Sequence, residues 1–413
     1  MKLRSVRGTH DIFGKEIEKY NKVIKIVSTN AKLSNFKELN TPIFEFSELF
    51  SKPLGEQSDV VLKEMYSFQD RNSDLLTLRP EYTTPVIRAA ITNNLLNELP
   101  LKIFGIGPMF RRERPQKGRY RQFNQINFEI LGSDDVISDV ELISIANDIL
   151  NYILPNKKIT LNLNSLGTKE NLIEFKNKLT KYFDDKKNKL SEESREKIKS
   201  NPLRILDSKN ENDIIISNSA PSINEFHSNE IKIHYQELKN HLNSLGIKFE
   251  ENNRLVRGLD YYCSTVFEFK TKDLGSQDTI LGGGRYDGLV KLLGGPDISG
   301  IGWAAGVERI SMLMSEEFNK NKDIHLAVLA EDFKPHLINV IQYLRKNNIN
   351  YYWNYKYNLK KSFSKANQDN SKFIIIIGNE ESEGNFYTVK NLNNSNQVSL
   401  KIDQISDYIN DQS

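Results

Sequence analysis

Six basic residues, Arg111, Arg112, Arg114, Lys117, Arg119 and Arg121, crowd into eleven positions of the segment FRRERPQKGRYRQF, with Pro115 and Gly118 between them. A guanidinium is planar and always charged, so it can grip a phosphate with two parallel hydrogen bonds. The spacing predicts two strands joined by a basic loop. On a strand, Arg111 and Glu113 share one face and Arg112 and Arg114 the other. The neighbouring carboxylate can hold an arginine or accept an amino group. A solvated basic hairpin is the plain alternative, and the strand that follows weighs against it. There Gln125, Asn127 and Glu129 fall on one face, alternating with Asn124, Ile126 and Phe128. Three polar groups aligned where a half-buried sheet is usually apolar predict a ligand.

Four further segments carry chemistry-bearing residues. LTLRPEYTTPVIRAA has Glu81 and Thr83 after Arg79-Pro80, with Pro85 and Arg88 at a helix start, a pattern that an ordinary cap and turn would also produce. LVRGLDYYCSTVFEF gathers Arg257, Asp260, Tyr261 and Tyr262 around Gly258 just before a strand. LGGGRYDGLV sets Gly282, Gly283, Gly284 and Gly288 at a spacing that is not GxGxxG, which excludes a dinucleotide fingerprint. Such glycines let the backbone approach a ligand closely and adopt positive φ. GIGWAAGVERI then leads small residues into a helix with Glu308 and Arg309 on its first turns.

The elements that must position these groups follow from periodicity. Ile17, Tyr20, Val23, Ile24 and Val27 predict a helix over Lys15 to Leu33 with one buried face. Phe36 to Phe46 reads as a strand around Pro42. Leu101 to Gly107, Phe123 to Gly132 and Ser264 to Thr271 alternate with period two and suggest antiparallel pairing. Charged helical patterns between about Ser165 and Glu251 predict an inserted helical subdomain. Beyond a polar hinge, Glu316 to Asp323, the runs IHLAVLAE, NYYW and KFIIIIG alternate with helical stretches. That pattern predicts a separate α/β domain of roughly 90 residues with a mainly parallel sheet.

Composition bounds the rest. Lys plus Arg number 57 against 54 Asp plus Glu, a formal charge of +3, so no long-range field demands a polyanionic partner. The single cysteine, Cys263, excludes a disulfide framework and a cysteine zinc site, and reads as packing rather than nucleophile. His227, His234 and His241 are seven apart, about 10.5 Å along a helix, too far to share a metal, and read as ordinary exposed residues. His10, His325 and His336 sit alone. The N-terminus MKLRSVRGTHDIFGK has no apolar core of signal length, and the aliphatic run Ile374 to Ile377 is far below the roughly 20 residues of a membrane span. A cytoplasmic chain is expected.

The segment Met109 to Gly132, MFRRERPQKGRYRQFNQINFEILG, is similar to the second signature motif of class II aminoacyl-tRNA synthetases. GIGWAAGVERI resembles the third motif, VRGTHDI with its helix and Pro42 resembles the first, and RGLDYY resembles the histidine-specific loop of the histidyl-tRNA synthetase family. The resemblance spans nearly the full chain. It implies an α+β fold: a class II catalytic domain (1–165 and 252–320) on an antiparallel sheet with flanking helices, a helical insertion (166–251) and a C-terminal α/β anticodon-binding domain (324–413). It also implies ATP-dependent ligation of L-histidine to tRNA(His) through histidyl-adenylate, with ATP as substrate, Mg²⁺ on its phosphates, and neither zinc nor a redox cofactor.

By the same resemblance Arg257 is the cation that stabilises charge on the reacting phosphate, joined by Arg111. Arg111, Glu113, Phe123 and Arg309 bind ATP. Glu81, Tyr82, Thr83, Gln125, Glu129, Tyr261, Tyr262 and Tyr286 bind histidine, although the family more often has glycine where this chain has Tyr82. Arg114, Lys117, Arg119 and Arg121 meet the tRNA end, and Tyr351, Tyr352, Trp353 and Tyr355 are candidates to stack on anticodon bases. The first motif implies a homodimer. A histidine-sensing paralogue, similar to the regulatory subunit of ATP phosphoribosyltransferase, is disfavoured because Arg111, Arg257, Arg309 and a terminal domain are all present. A synthetase for proline or glycine fails on RGLDYY.

Overall fold

The computed structural model describes residues 3–55, 58, 60–116, 118–275, 278–315 and 324–412. Lys117 and the hinge Glu316 to Asp323 lie outside these described residues. The chain divides into two compact units, Met1–Ser315 and Glu316–Ser413.

The strands of the first unit are β1 (Lys37–Glu38), β2 (Phe44–Phe46), β3 (Tyr66–Gln69), β4 (Leu75–Leu78), β5 (Leu101–Phe110), β6 (Gln122–Leu131), β7 (Thr160–Ser165), β8 (Phe249–Glu251), β9 (Cys263–Lys270), β10 (Thr279–Arg285) and β11 (Gly300–Gly306). Eight form one sheet in the order β1-β5-β6-β11-β10-β9-β7-β8. Neighbours from β5 through β7 are antiparallel, as the alternating patterns predict. The outermost pairs, β1 with β5 and β7 with β8, are parallel, so the sheet is mixed at its edges. Long crossovers separate the strands of each parallel pair, and only such connections return a chain in the same direction.

The single strand expected over Phe36 to Phe46 is instead two. Pro42 has no N–H to give a ladder, and the chain breaks there between β1 in the large sheet and β2 in a small sheet ordered β2-β4-β3. Arg79 secures the break, donating to the Thr41 carbonyl and hydroxyl (both 2.8 Å) and to the Pro108 carbonyl (2.9 Å).

One face of the large sheet is apolar. Phe128 on β6 stacks on Trp303 of β11 at 4.5 Å, and the indole N–H donates to the Leu142 carbonyl of the helix Val136–Ile153. Arg285, at the end of β10, binds Asp139 of that helix through Nε (2.9 Å), and also Ser138 and the Ser133 carbonyl. The helix Lys15–Leu33 turns Val23, Val27 and Ala31 inward, the face its periodicity predicts.

The opposite face is a floor of small residues around the polar stripe of β6. Register sets three rows: Gly107, Gln125 and Gly306; Gly105, Asn127, Ala304, Gly282 and Glu268; and Ile103, Glu129, Gly302, Gly284 and Val266. The helical insertion comprises Lys169–Asp185, Glu192–Ser200, Leu203–Leu206, Glu211–Asn218 and Asn229–Ser244; the first four pack beside this face, and the last lies against the helix Val136–Ile153 on the reverse one. The insertion's Leu172, Phe175, Phe183 and Ile205 belong to the same apolar cluster as Val86, Tyr262 and Tyr286, so these helices share the core of the cleft.

In the second unit β12 (Ile324–Val328), β13 (Tyr351–Trp353), β14 (Phe373–Ile377), β15 (Tyr387–Asn391) and β16 (Gln397–Leu400) form a sheet ordered β13-β12-β14-β15-β16. The three strands expected from the sequence are the parallel ones. The antiparallel pair β15 and β16 went unread because Asn and Ser fill the turn between them.

Gly302 shows how tightly the floor is built: a Cβ there would collide with the Glu129 carboxylate and lie 2.7 Å from the Phe128 carbonyl oxygen. Gly302→Ala is expected to destabilise the first unit by about 1–3 kcal/mol in urea melts, the cost of overpacking. An unchanged urea midpoint would show that Glu129 can leave this position freely.

Candidate active site

Above the floor lies a cleft of about 370 Å³, lined by Glu81, Thr83, Arg111, Phe123, Gln125, Asn127, Arg257, Tyr261, Tyr262 and Arg309 among others. A larger hollow of about 780 Å³ is lined by Lys52, Lys169, Lys291, Asp287 and Asp297. Lys291 there already pairs with Asp297 at 2.7 Å, and the segments singled out from the sequence lie mostly elsewhere. Along β6 the cleft residues run Phe123, Gln125, Asn127, with Glu129 at the far end. By strand rise that stripe is about 20 Å long, enough for an extended ligand.

The Glu129 end is held by hydrogen bonds among buried groups. Glu81 accepts from the Thr83 and Thr84 backbone N–H groups at 2.8 and 2.9 Å and from the Thr84 hydroxyl. It thereby caps the helix Thr83–Thr92, whose positive N-terminus favours a carboxylate. The Thr83 hydroxyl donates to one Glu129 oxygen (2.7 Å) and the Tyr286 hydroxyl to the other (2.6 Å). Burial pushes the Glu129 carboxyl up to about 8, against the pull of these two donors and with the help of nearby Glu81. Glu129 and Tyr286 are each 1% exposed and sit one layer behind the cleft surface. Tyr261 and Tyr262 stand in front, their ring centroids 4.7 Å apart, and the Tyr261 hydroxyl reaches Glu81 at 3.4 Å.

Arg257 lies over Gly282, in the space a side chain there would fill. Its guanidinium sits 5.5 Å from the Tyr262 ring centroid and pairs with Glu268 of β9. Glu268 also binds Lys270 (3.0 Å) and the Thr279 hydroxyl (3.1 Å). Burial opposes both charges, yet Glu268 holds Arg257 charged and Arg257 with Lys270 keeps Glu268 ionised. Sequence reasoning missed Glu268. Its signal was a lone carboxylate alternating with Phe267 and Phe269 in a strand just after RGLDYY.

The basic segment differs from expectation. Strand β5 ends at Phe110, so the described residues between it and β6 belong to no strand of the sheet, and the shared strand face proposed for Arg111 and Glu113 does not exist. Both nevertheless line the cleft, because Arg111 donates to the Pro80 carbonyl (2.7 Å) and lies over the Phe123 ring, 5.5 Å from its centroid. Arg119 turns inward and pairs with Glu113. Arg121 donates to the Glu113 carbonyl (3.2 Å) and its own N–H to Gly8, making it a strut of the loop. Arg114 is exposed. Glu308 accepts from the Asn124 backbone and side chain at 2.8 Å and joins β6 to the helix Val307–Leu313, which carries Arg309 into the cleft.

Tyr82 does not line the cleft. It is fully buried, donates to the Leu39 carbonyl, and its ring occupies the space left by Gly105 under Arg79. It is thus part of the core between β1 and β5. A second residue missed by sequence is Arg204 of the insertion, which lines the cleft and donates to the Gly258 carbonyl at 2.8 Å. No pattern near Arg204 announced it. The histidines also differ: His227 is buried and precedes the helix Asn229–Ser244, and His234 lies 3.8 Å from buried Asp139. Cys263 is buried and accepts from the Asp287 N–H (3.2 Å), and burial pushes its thiol up to about 12, which makes it a packing residue.

The family profile "Histidyl-tRNA synthetase" matches residues 8–310, and the profile "Anticodon binding domain" matches residues 319–412. Histidine–tRNA ligase of Rickettsia prowazekii (strain Madrid E) is 41% identical over 407 residues, covering 98% of each chain. That of Ehrlichia canis (strain Jake) is 41% identical over 408 residues, covering 99% of this chain and 98% of the relative. The structure of apo S. aureus histidyl-tRNA synthetase matches with TM-score 0.81 at 29% identity, covering 99% of this chain and 100% of that one. That of Nostoc sp. PCC 7120 matches with TM-score 0.70 at 18% identity over 100% of both and shares the fold.

The raised Glu129 carboxyl makes a stability prediction. Between its unfolded value near 4.5 and about 8 the folded chain holds a proton that the unfolded chain has lost, so stability falls as pH rises through that window. Glu129→Gln removes the titration. Its melting temperature is therefore expected to gain on wild type steadily from pH 5 to pH 8. A difference that stays constant across that range would mean Glu129 is ionised in the fold.

Proposed function

The chain belongs to the histidyl-tRNA synthetase family, and from that premise we propose that it joins L-histidine to tRNA(His) in two steps. Histidine and ATP first give histidyl-adenylate and pyrophosphate. The terminal adenosine of the tRNA then attacks the adenylate and AMP leaves. The observation that carries this reading is the meeting of Arg257, Arg111 and Arg309 with the β6 polar stripe in one cleft.

Adenylation is attack of a carboxylate oxygen on the α-phosphorus, so negative charge builds on phosphate oxygens. A cation already fixed in place lowers that barrier without reorganising. Arg257 suits the role because Glu268 and the Gly282 gap hold it rigidly. Arg111, over Phe123, is read as the partner of the α-phosphate, with adenine on the Phe123 ring, Glu113 beside it, and Arg309 toward the outer phosphates; Arg119, expected at the tRNA end, lines the same cleft. Glu81 accepts the ammonium group of histidine. Thr83, Gln125, Tyr261 and Tyr262 surround the amino acid, with Glu129 and Tyr286 closing the end behind them. Among the described residues no cluster of three His, Cys, Asp or Glu could hold a metal. A Mg²⁺ arriving on the phosphates would neutralise charge on the leaving pyrophosphate.

Arg114, exposed on the basic loop, is proposed to meet the tRNA end. In the second unit Tyr355 is 78% exposed, 4.6 Å from the Trp353 ring, and is the aromatic best suited to an unstacked anticodon base. Tyr351, Tyr352 and Trp353 are half-buried and serve packing as well. A homodimer is supported by Phe44, Phe46 and Phe68, exposed on one face of the small sheet. Among the described residues no helix is long and apolar enough to cross a membrane, and the cytoplasm is the proposed location.

The test is exchange of labelled pyrophosphate into ATP, with histidine and with proline, glycine and threonine as controls. Exchange with histidine alone is expected, and its absence would overturn the reading. Arg257→Ala should slow the exchange by about 10²–10³-fold while histidine binding changes little. Equal losses in binding and rate would make Arg257 a substrate clamp.

A further inference from the structure

Asn127 occupies the middle row of the cleft floor, and the reaction as described gives it no task. Its side chain is 1% exposed and lines the cleft, and neither atom of its amide finds a partner among the described residues. Burying an amide without hydrogen bonds costs free energy, so such a group in a binding cleft points to a ligand that completes it.

Register says which part of the ligand. Asn127 lies opposite Ala304, Ala304 opposite Gly282, and Gly282 opposite Glu268. Residues directly opposite in a sheet share a face. Asn127 and the Arg257 guanidinium, which lies over Gly282, therefore flank Ala304. Their strands are two spacings apart, about 10 Å, and only the Ala304 methyl rises from the sheet between them. Glu129, one row along, marks the far end of the amino-acid pocket. The group that spans the row of Asn127 and Arg257 is then the anion that reacts.

We propose that Asn127 contacts the substrate, donating through its side-chain Nδ2 to the carboxylate of the bound amino acid from the side opposite Arg257. The proposal rests on the adenylation reading and deepens it. One carboxylate oxygen is held by the amide while the other attacks the α-phosphorus. A neutral donor suits this place: it orients the nucleophile without the charge that would weaken its attack, and it keeps its bond as the carboxylate becomes the acyl group of the adenylate.

The test compares full-length wild type with Asn127→Ala and the near-isosteric Asn127→Asp in three measurements. These are melting without ligand, histidine-dependent pyrophosphate exchange, and the melting shifts produced by histidine and by histidinol, which has an alcohol in place of the carboxylate. Asn127→Ala is expected to melt no lower than wild type, since the fold loses no hydrogen bond, while kcat/KM for histidine falls about 10- to 100-fold. Asn127→Asp should fall further, because a carboxylate would face the substrate's own. The histidine shift should shrink in Asn127→Ala and the histidinol shift should not. Lack of exchange by wild type would sink the adenylation reading. Unaltered exchange by Asn127→Ala, beside an active wild type, would sink this proposal alone, as would a lower melting point without ligand or equal loss of both ligand shifts.

Discussion

The cleft depends on how closely the polar stripe of β6 can lie against the strands beside it. Glu129 needs the space of a missing side chain at Gly302, Arg257 needs that at Gly282, and Arg79 that at Gly107. Glycine and alanine are poor strand formers, and a sheet floored with them has little to pack. On the reverse of the sheet Phe128, Trp303 and the helix Val136–Ile153 form a dense apolar layer pinned by Arg285 and Asp139. One sheet thus carries a rigid side and a receptive side, and strand alternation lets the two be specified independently.

Charge in the cleft obeys a second rule, that each identified anchor of a cation is a protein group other than the expected ligand. Arg257 leans on Glu268, Arg119 on Glu113, Arg111 on the Pro80 carbonyl and Arg204 on the Gly258 carbonyl. At Arg257 this compensation keeps a buried guanidinium charged, and fixing a cation before the substrate arrives is preorganisation rather than simple attraction. Arg285 is the contrast: bound to Asp139, Ser138 and backbone carbonyls, it is structural.

The insertion contributes to this arrangement more than its position outside the catalytic motifs suggested. Its apolar side chains run continuously into the cluster that supports Tyr262 and Tyr286, and Arg204 ties it to the glycine that follows Arg257. Any shift of these helices is therefore felt at the loop carrying the proposed catalytic cation.

Much of this was legible in the sequence, because side-chain direction along one strand is a local property. Alternation alone put Gln125, Asn127 and Glu129 on one face, and motif resemblance named Arg111, Arg257 and Arg309. The α/β character of the second unit was likewise carried by its apolar runs. What only the tertiary structure decided were pairings between distant segments. Glu268 beside Arg257 and Glu308 beneath Asn124 follow from which strands and helices lie side by side, and no local period records that. Tyr82 joined the core because Gly105, far along the chain, left its ring a place. Asn127 acquired meaning in the same way, when register set it across Ala304 from Arg257: spacing fixes the face of a residue, and long-range packing chooses what that face meets.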